Sequence, residues 1–515
     1  MQPSKTLTAI ASAVLIGGLL ATPTFADVRL PSLFSDHMVL QGGGATAVWG
    51  WADPAEKIEV EVADQVRTTE ADAAGKWMVR FEMLPGGKST TLQVKGKNLL
   101  TVNDVQIGEV WLASGQSNMQ MTVGGSHNGR AEVAAATFPE IRMFTVDRKA
   151  ATAPQDDCGG KWIVCSPETA GGFSAAAYFF GREIHRTLKT PVGLINASWG
   201  GTTIEAWTSM DAQKNVAEIQ PILRSWEQKV RAPFDEKQAA AQYGKWMEVW
   251  EKQVAKAKAE GRKPPPRPKQ RIAPRLQSNH PANLFNGMIA PLIPYTIRGA
   301  IWYQGESNSG NNSPAVYATQ LPLLLTDWRT RWGQGDFPFA WVQLPNFRKR
   351  NPDPGAPSNW ALMREVFLNA LSVPNTGMAV TIDVGNESDI HPKYKQAVGR
   401  RLAFWALAKV YGKDIPWSGP LSANHVIAGS EVIVSFNHAD GGLEAKGGPL
   451  RGFAIAGADR KWFHAHARIE GNQVIASSPD VPAPVALRYA WADNPECNLH
   501  NSAGLPASPF RTDDW

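Results

Sequence analysis

The chain has 515 residues, of which 43% are apolar and 19% charged. That is too long for one hydrophobic core and too apolar for disorder, so two to four domains are expected. Its 52 basic and 47 acidic residues nearly cancel, which excludes a nucleic-acid binder working through bulk positive charge. Tryptophan outnumbers tyrosine 20 to 8, and flat indole faces suit both core packing and stacking on sugar rings.

In chain order, residues 1–26 carry Lys5, then an uncharged apolar run to about Leu20, then Thr24-Phe25-Ala26 with small residues where a signal peptidase reads. This is the pattern of a secretory signal peptide, with the mature chain starting at Asp27 and a periplasmic or extracellular destination. The run is shorter than the ~20 residues a membrane span needs, and no later segment is long and apolar enough. Residues 27–104 alternate apolar and charged positions, as in Ile58, Val60 and Val62 against Glu59 and Glu61; short antiparallel strands follow, hence an N-terminal β-sandwich or barrel. Residues 105–415 have another texture. Apolar runs at 105–114, 191–198, 297–303 and 378–383 end in polar, Gly-containing loops, with helical stretches at 175–187 and 394–411, the pattern of a parallel sheet covered on both faces. An insertion at about 209–277 interrupts this region. It holds an amphipathic helix over 235–260 with Trp246 and Trp250 four apart, then a basic, proline-rich arm over 261–275. Residues 416–515 return to alternation and form a C-terminal β domain.

Three cysteines give no zinc spacing. Cys158 and Cys165 flank Gly159-Gly160 and are candidates for a local disulfide, which leaves Cys497 as a buried thiol. His464 and His466 share a strand face, and a surface pair is the expected reading. No metal or cofactor is expected.

Ligands of an open α/β sheet bind at the carboxyl ends of its strands, and four segments lie there. Gly115-Gln116-Ser117-Asn118 offers a serine in a tight turn. Gly200-Gly201 lets a substrate oxygen come close to backbone N–H groups. Residues 302–308, Trp-Tyr-Gln-Gly-Glu-Ser-Asn, offer amide side chains, and Asp389-Ile390-His391-Pro392 brings an acid and a base into one short loop. Each is weak alone. Together they supply a nucleophile, an oxyanion hole, a general base and its carboxylate, the set needed for acyl transfer.

The segments GQSNM, WYQGESN and DIHP resemble the signatures of the sialate O-acetylesterase family, carbohydrate acetylesterases among the SGNH (GDSL-type) hydrolases. The opening RLPSLFSDHMVLQ and the tail RYAWADNPECNLHNSAGLPASPF resemble it too, so the likeness spans nearly the whole mature chain. The resemblance implies a flavodoxin-like three-layer α/β/α catalytic domain flanked by β domains. It implies metal-independent hydrolysis of O-acetyl esters on sugars through an acetyl-enzyme, with Ser117 as nucleophile, His391 as general base and Asp389 orienting it. The Ser117 amide, Gly200 or Gly201, and Gln304 or Asn308 are then oxyanion donors, and Gln116, Glu306 and Trp302 are substrate contacts. Two departures from the wider superfamily stand out. Gly305 is followed by Glu306-Ser307-Asn308 rather than soon by Asn, and the acid and base are two residues apart rather than three, which leaves Asp383 or Glu387 as alternative partners of His391. The expected partner is an O-acetylated glycan, either a hemicellulose such as xylan or xyloglucan, toward which the tryptophan content tilts, or a sialic acid. The competing readings are a glycosidase using paired acids such as Glu306 and Asp389, and a noncatalytic glycan-binding protein. Oligomeric state is not legible.

Overall fold

Strand β1 (Leu99–Gly115) ties the molecule together. In the computed structural model, which describes residues 27–87, 89–311, 314–439 and 441–515, its first half pairs antiparallel with Thr90–Lys95 of the N-terminal β region. Its second half is the middle of a parallel sheet. One continuous strand therefore runs through positions 104–105. The other strands of that sheet are β2 (Phe138–Thr145), β3 (Trp162–Cys165), β4 (Val192–Ser198), β5 (Gly299–Tyr303), β6 (Phe339–Val342) and β7 (Thr376–Ala379), in the spatial order β7-β6-β5-β1-β4-β2-β3. All neighbouring pairs are parallel except β2 with edge strand β3. The chain is thus mixed α/β, with a large central sheet and additional β sheets. The expected signal peptide, residues 1–26, lies outside the described residues, and no helix among those described is long and apolar enough to cross a membrane.

Both faces of the sheet are buried because most positions of its central strands are apolar. Val110, Leu112, Ala300, Trp302, Phe339 and Trp341 point into one core, and their neighbours Trp111, Ala113, Ile301, Tyr303, Ala340 and Val342 into the other. Helices α2 (Ala175–Leu188) and α8 (Lys395–Lys409) cover the second face. They pack so closely that a Cβ at Gly399 would stand 2.6 Å from Phe179 Cβ. Past the short helix α5 (Glu306–Asn311), the first core takes in α6 (Pro314–Trp332) and α7 (Asn359–Asn369) and runs on into both β regions. Between them in chain order, the insertion supplies α3 (Gln220–Arg231) and the largely exposed α4 (Glu236–Ala259), close to the helix expected at 235–260.

Two antiparallel four-stranded sheets form most of the C-terminal region. It is bolted to the α/β region by Arg364 of α7, which has no exposed surface. The guanidinium donates to the carbonyls of Leu344 and Pro345 after β6 and of Ala492 and Asp493 in the C-terminal region, at 2.6–2.9 Å.

Two expectations need correction. Cys158 and Cys165 are both free thiols, as is Cys497. The extended strand β3 carries Cys165 away from Cys158, and the two side chains end in different cores on opposite faces of the sheet. The tryptophans are mainly structural: thirteen of the 20 are buried, so their number does not measure sugar-stacking surface.

Candidate active site

Ser117 follows β1 directly and opens the one-turn helix α1 (Ser117–Gln120). The turn requires glycine at 115. Its φ is +134°, and a Cβ there would lie 2.2 Å from the Tyr303 carbonyl oxygen on the neighbouring strand. This tight exit puts Ser117 Oγ at the carboxyl edge of the sheet, 2.8 Å from His391 Nε2. His391 comes from the loop between β7 and α8. Its other nitrogen, Nδ1, is 3.4 Å from Asp389 Oδ1, the oxygen that also accepts the His391 backbone N–H at 2.9 Å. Histidine and aspartate are 40% and 46% exposed, so the dyad opens to solvent. The first N–H groups of a helix have no intrahelical acceptor, which leaves the Ser117 amide able to receive an oxygen.

A turn over residues 200–204 forms the facing wall. A Cβ on Gly200 would come within 3.1 Å of Ser117 Cβ, whereas one on Gly201 would meet open space; Gly200 is the glycine that close approach requires. Four side chains pin this turn. Gln120 Oε1 accepts from Gly200 N (2.8 Å), and Asn279 donates to Gly201 O (3.0 Å) and accepts from Thr203 N (2.9 Å). Gln304 Nε2 donates to Thr202 O (3.1 Å), and Asn308 Oδ1 accepts from Ile204 N (3.1 Å).

Beneath Ser117 lies a buried polar chain. Lys395 Nζ donates to Asn118 Oδ1 at 2.6 Å, and Asn118 Nδ2 donates to Glu306 Oε1 at 2.5 Å and to the Ile390 carbonyl at 3.0 Å. Asn118 and Lys395 have no exposed surface. Asn118 thus links the Ser117 turn to the residue preceding His391. Burial pushes the Lys395 ammonium down to about 7, against the pull of Glu306 and Asp389. Burial likewise raises the Glu306 carboxyl above its ordinary range, against the hydrogen bond from Asn118. Glu306 Oε2 and the Tyr303 hydroxyl have no partner among the described residues, and Lys395 Nζ sits 4.9 Å from the centre of the Tyr303 ring.

A serine, a histidine and an acid at strand ends are found in many hydrolases; comparison with known proteins narrows the choice. Residues 107–254 and 279–407 match the family described as carbohydrate esterase, sialic acid-specific acetylesterase. The chain belongs to this family. It is 31% identical to the sialate O-acetylesterase of Mus musculus, covering 94% of both chains, and 30% identical to that of Homo sapiens, covering 97% of both. The crystal structure of a carbohydrate acetylesterase from Xanthomonas citri superimposes with a TM-score of 0.80 at 35% identity, over 95% of this chain and all of that one. This family member is accordingly a carboxylic ester hydrolase.

Within that family frame, several expected contacts move. Trp302 is fully buried between Trp207 and Trp328, with ring centres 6.1 and 5.9 Å away, and offers no exposed surface to a ligand. Gln304 and Asn308 are also fully buried. Gln304 Nε2 is spent on Thr202 O and Asn308 Oδ1, and Asn308 Nδ2 on Glu205 Oε2, so their side chains brace the 200–204 turn from below instead of aiming at an oxyanion. Gln116 is buried too, its Oε1 accepting the Ser307 N–H, and Glu306 sits behind Asn118 rather than in the cleft. Asp383 is committed elsewhere: Arg401 grips it at 2.6 and 2.7 Å, and although burial would raise its carboxyl, hydrogen bonds from His500 and Arg401 hold it well below its ordinary value. Glu387 is exposed. Asp389 remains the acid beside His391. His464 Nε2 lies 2.9 Å from the Pro352 carbonyl, and no group of three metal-ligating side chains occurs among the described residues.

The sequence reading missed Asn118, Lys395, Gln120 and Asn279. Lys395 had one legible signal: a lysine in the first turn of a helix opposes the helix dipole, which suggests a partner elsewhere. Gln120 stands three residues after Ser117, on the same helix face.

Proposed function

We propose that this protein is an exported carbohydrate O-acetylesterase that removes acetyl groups from the sugar residues of a glycan by a Ser117–His391–Asp389 mechanism. The observation carrying the reading is the 2.8 Å contact between Ser117 Oγ and His391 Nε2 at the carboxyl edge of the sheet. His391 Nε2 takes the Ser117 hydroxyl proton as Oγ attacks the acetyl carbonyl. The carbonyl oxygen becomes an oxyanion facing the Ser117 amide and the Gly200 amide, the latter exchanging Gln120 Oε1 for the new oxygen. The intermediate collapses as His391 returns its proton to the departing sugar oxygen, leaving acetyl-Ser117 and a free sugar hydroxyl. Water then attacks the acetyl-enzyme, giving its proton to His391, and a second collapse releases acetate and restores the serine. Asp389, 3.4 Å from Nδ1, orients the ring and offsets the imidazolium charge in both steps.

The glycosidase alternative loses support because Glu306, one of the two acids it needs, is buried behind Asn118. Acetate release should be measured across acetylated xylan, xyloglucan and pectin fragments and O-acetylated sialic acid, with nitrophenyl acetate and nitrophenyl glycosides alongside. Acetate from at least one acetylated carbohydrate is expected. Hydrolysis of glycosides without acetate release would overturn the reading.

A further inference from the structure

The insertion brings a surface to the mouth of the ester site. Asn279, just past the insertion, holds the Gly201 carbonyl at 3.0 Å, and Gly200 approaches Ser117 closely. Asn279 also lines a cavity of about 260 Å³ that includes Phe234 and Arg271. Those same two residues line a second cavity of about 250 Å³, whose other wall is the α4 face bearing Gln238, Gln242 and Trp246. The two cavities adjoin at Phe234 and Arg271: the first reaches Asn279, which holds the turn beside the nucleophile, and the second lies along α4, so together they mark a path outward.

Its chemistry is uneven in a telling way. Trp246 is 40% exposed, although most tryptophans of this chain are buried. Spacing of four places Gln238, Gln242 and Trp246 on one helix face. Among the described residues the Arg271 guanidinium has no hydrogen-bond or ion-pair partner. An exposed aromatic face beside planar amides and an unspent guanidinium matches a pyranose ring, which has an apolar C–H face and a rim of hydroxyls.

We propose that this path is a set of remote subsites binding the sugar residues beyond the acetylated one, which makes the enzyme selective for oligosaccharides. The proposal rests on the O-acetylesterase reading and adds where the rest of the substrate lies. Contacts far from the ester contribute binding energy only when the substrate is long enough to reach them.

The test compares kcat/KM for an acetylated oligosaccharide, an acetylated monosaccharide and nitrophenyl acetate in the full-length enzyme carrying Trp246→Ala or Arg271→Ala. Val249→Ala, an exposed residue of the same helix outside both cavities, serves as control. The oligosaccharide-to-nitrophenyl acetate ratio should fall about tenfold in each subsite variant, mainly through KM, and stay put in the control. Calorimetry on Ser117→Ala should show binding of the deacetylated oligosaccharide, weakened similarly by a second change at Trp246. An unchanged ratio, or equal falls on oligosaccharide and monosaccharide, would overturn the subsites while leaving the esterase assignment standing. A wild-type enzyme that cleaves nitrophenyl acetate but no acetylated sugar would instead overturn the assignment, and the subsites with it.

Discussion

Replacing Lys395 with Met should make the protein more stable at pH 6, an advantage that disappears by about pH 9, while damaging catalysis. Lys395 is wholly buried, and its ammonium titrates near 7 in the folded chain against an ordinary 10.5. Between those values the unfolded chain holds the proton and the folded chain does not, so this group's contribution to stability rises with pH from about 7 to about 10.5. At pH 6 the wild type carries the full cost of the buried charge, on the order of 5 kcal/mol at 1.36 kcal/mol per pH unit. Methionine has similar length and no charge to bury. It forfeits the 2.6 Å bond to Asn118 Oδ1, leaving that acceptor unsatisfied at a cost of about 1–3 kcal/mol, and it forfeits the attraction to Glu306. Glu306, already raised by burial, loses a positive neighbour and moves further in the same direction. The net expectation is a gain of about 2 kcal/mol at pH 6. At pH 9 the folded lysine is already neutral but the unfolded one still holds its proton, so the wild type still carries about 2 kcal/mol of that cost, which cancels most of the ~1–3 kcal/mol the variant loses with the hydrogen bond. Urea-unfolding midpoints of variant and wild type at the two pH values read the difference. A variant less stable than wild type at pH 6, or an advantage that does not shrink by about 2–3 kcal/mol between pH 6 and pH 9, would refute the reasoning. Activity should fall because Asn118 also holds the Ile390 carbonyl next to His391.

Ser117→Ala should retain the fold and lose acetate release by several orders of magnitude, toward the ~10⁶ seen for a removed triad nucleophile; more than a tenth of wild-type activity would remove Ser117 from that role. Asp389→Asn should lower kcat by less, about 10²-fold, because the acid is 46% exposed and 3.4 Å from Nδ1, with steady-state kinetics as the check. Arg364→Leu should destabilise by about 3 kcal/mol, since four carbonyls lose their donor while the cost of burying the guanidinium is relieved. Differential scanning calorimetry reads this as a lowered transition, and an unchanged thermogram would show that the C-terminal region docks without it.

The sequence by itself determined the alternation of textures, the strand-end motifs and hence the family, because these are local properties: periodicity, turn chemistry and short motifs survive without knowledge of what packs against what. Strands 192–198 and 299–303, helix α8 and the insertion helix fall near their expected places for this reason. Strand β6 (Phe339–Val342) went unread because four residues are too few to carry a period. Only the tertiary structure decided which way each motif side chain faces. Along a strand, neighbouring residues point to opposite sides, so Trp302 enters a core although it belongs to a site motif. Gln304 and Asn308 brace a turn that lies a hundred residues away in sequence. The sheet faces also send Cys158 and Cys165 into separate cores, which spacing could not reveal. Burial decided the rest: Asn118, Glu306 and Lys395 are ordinary polar residues in a list. They become a coupled chain beneath Ser117 only when three distant segments exclude water around them and leave their charges with little to answer them but one another.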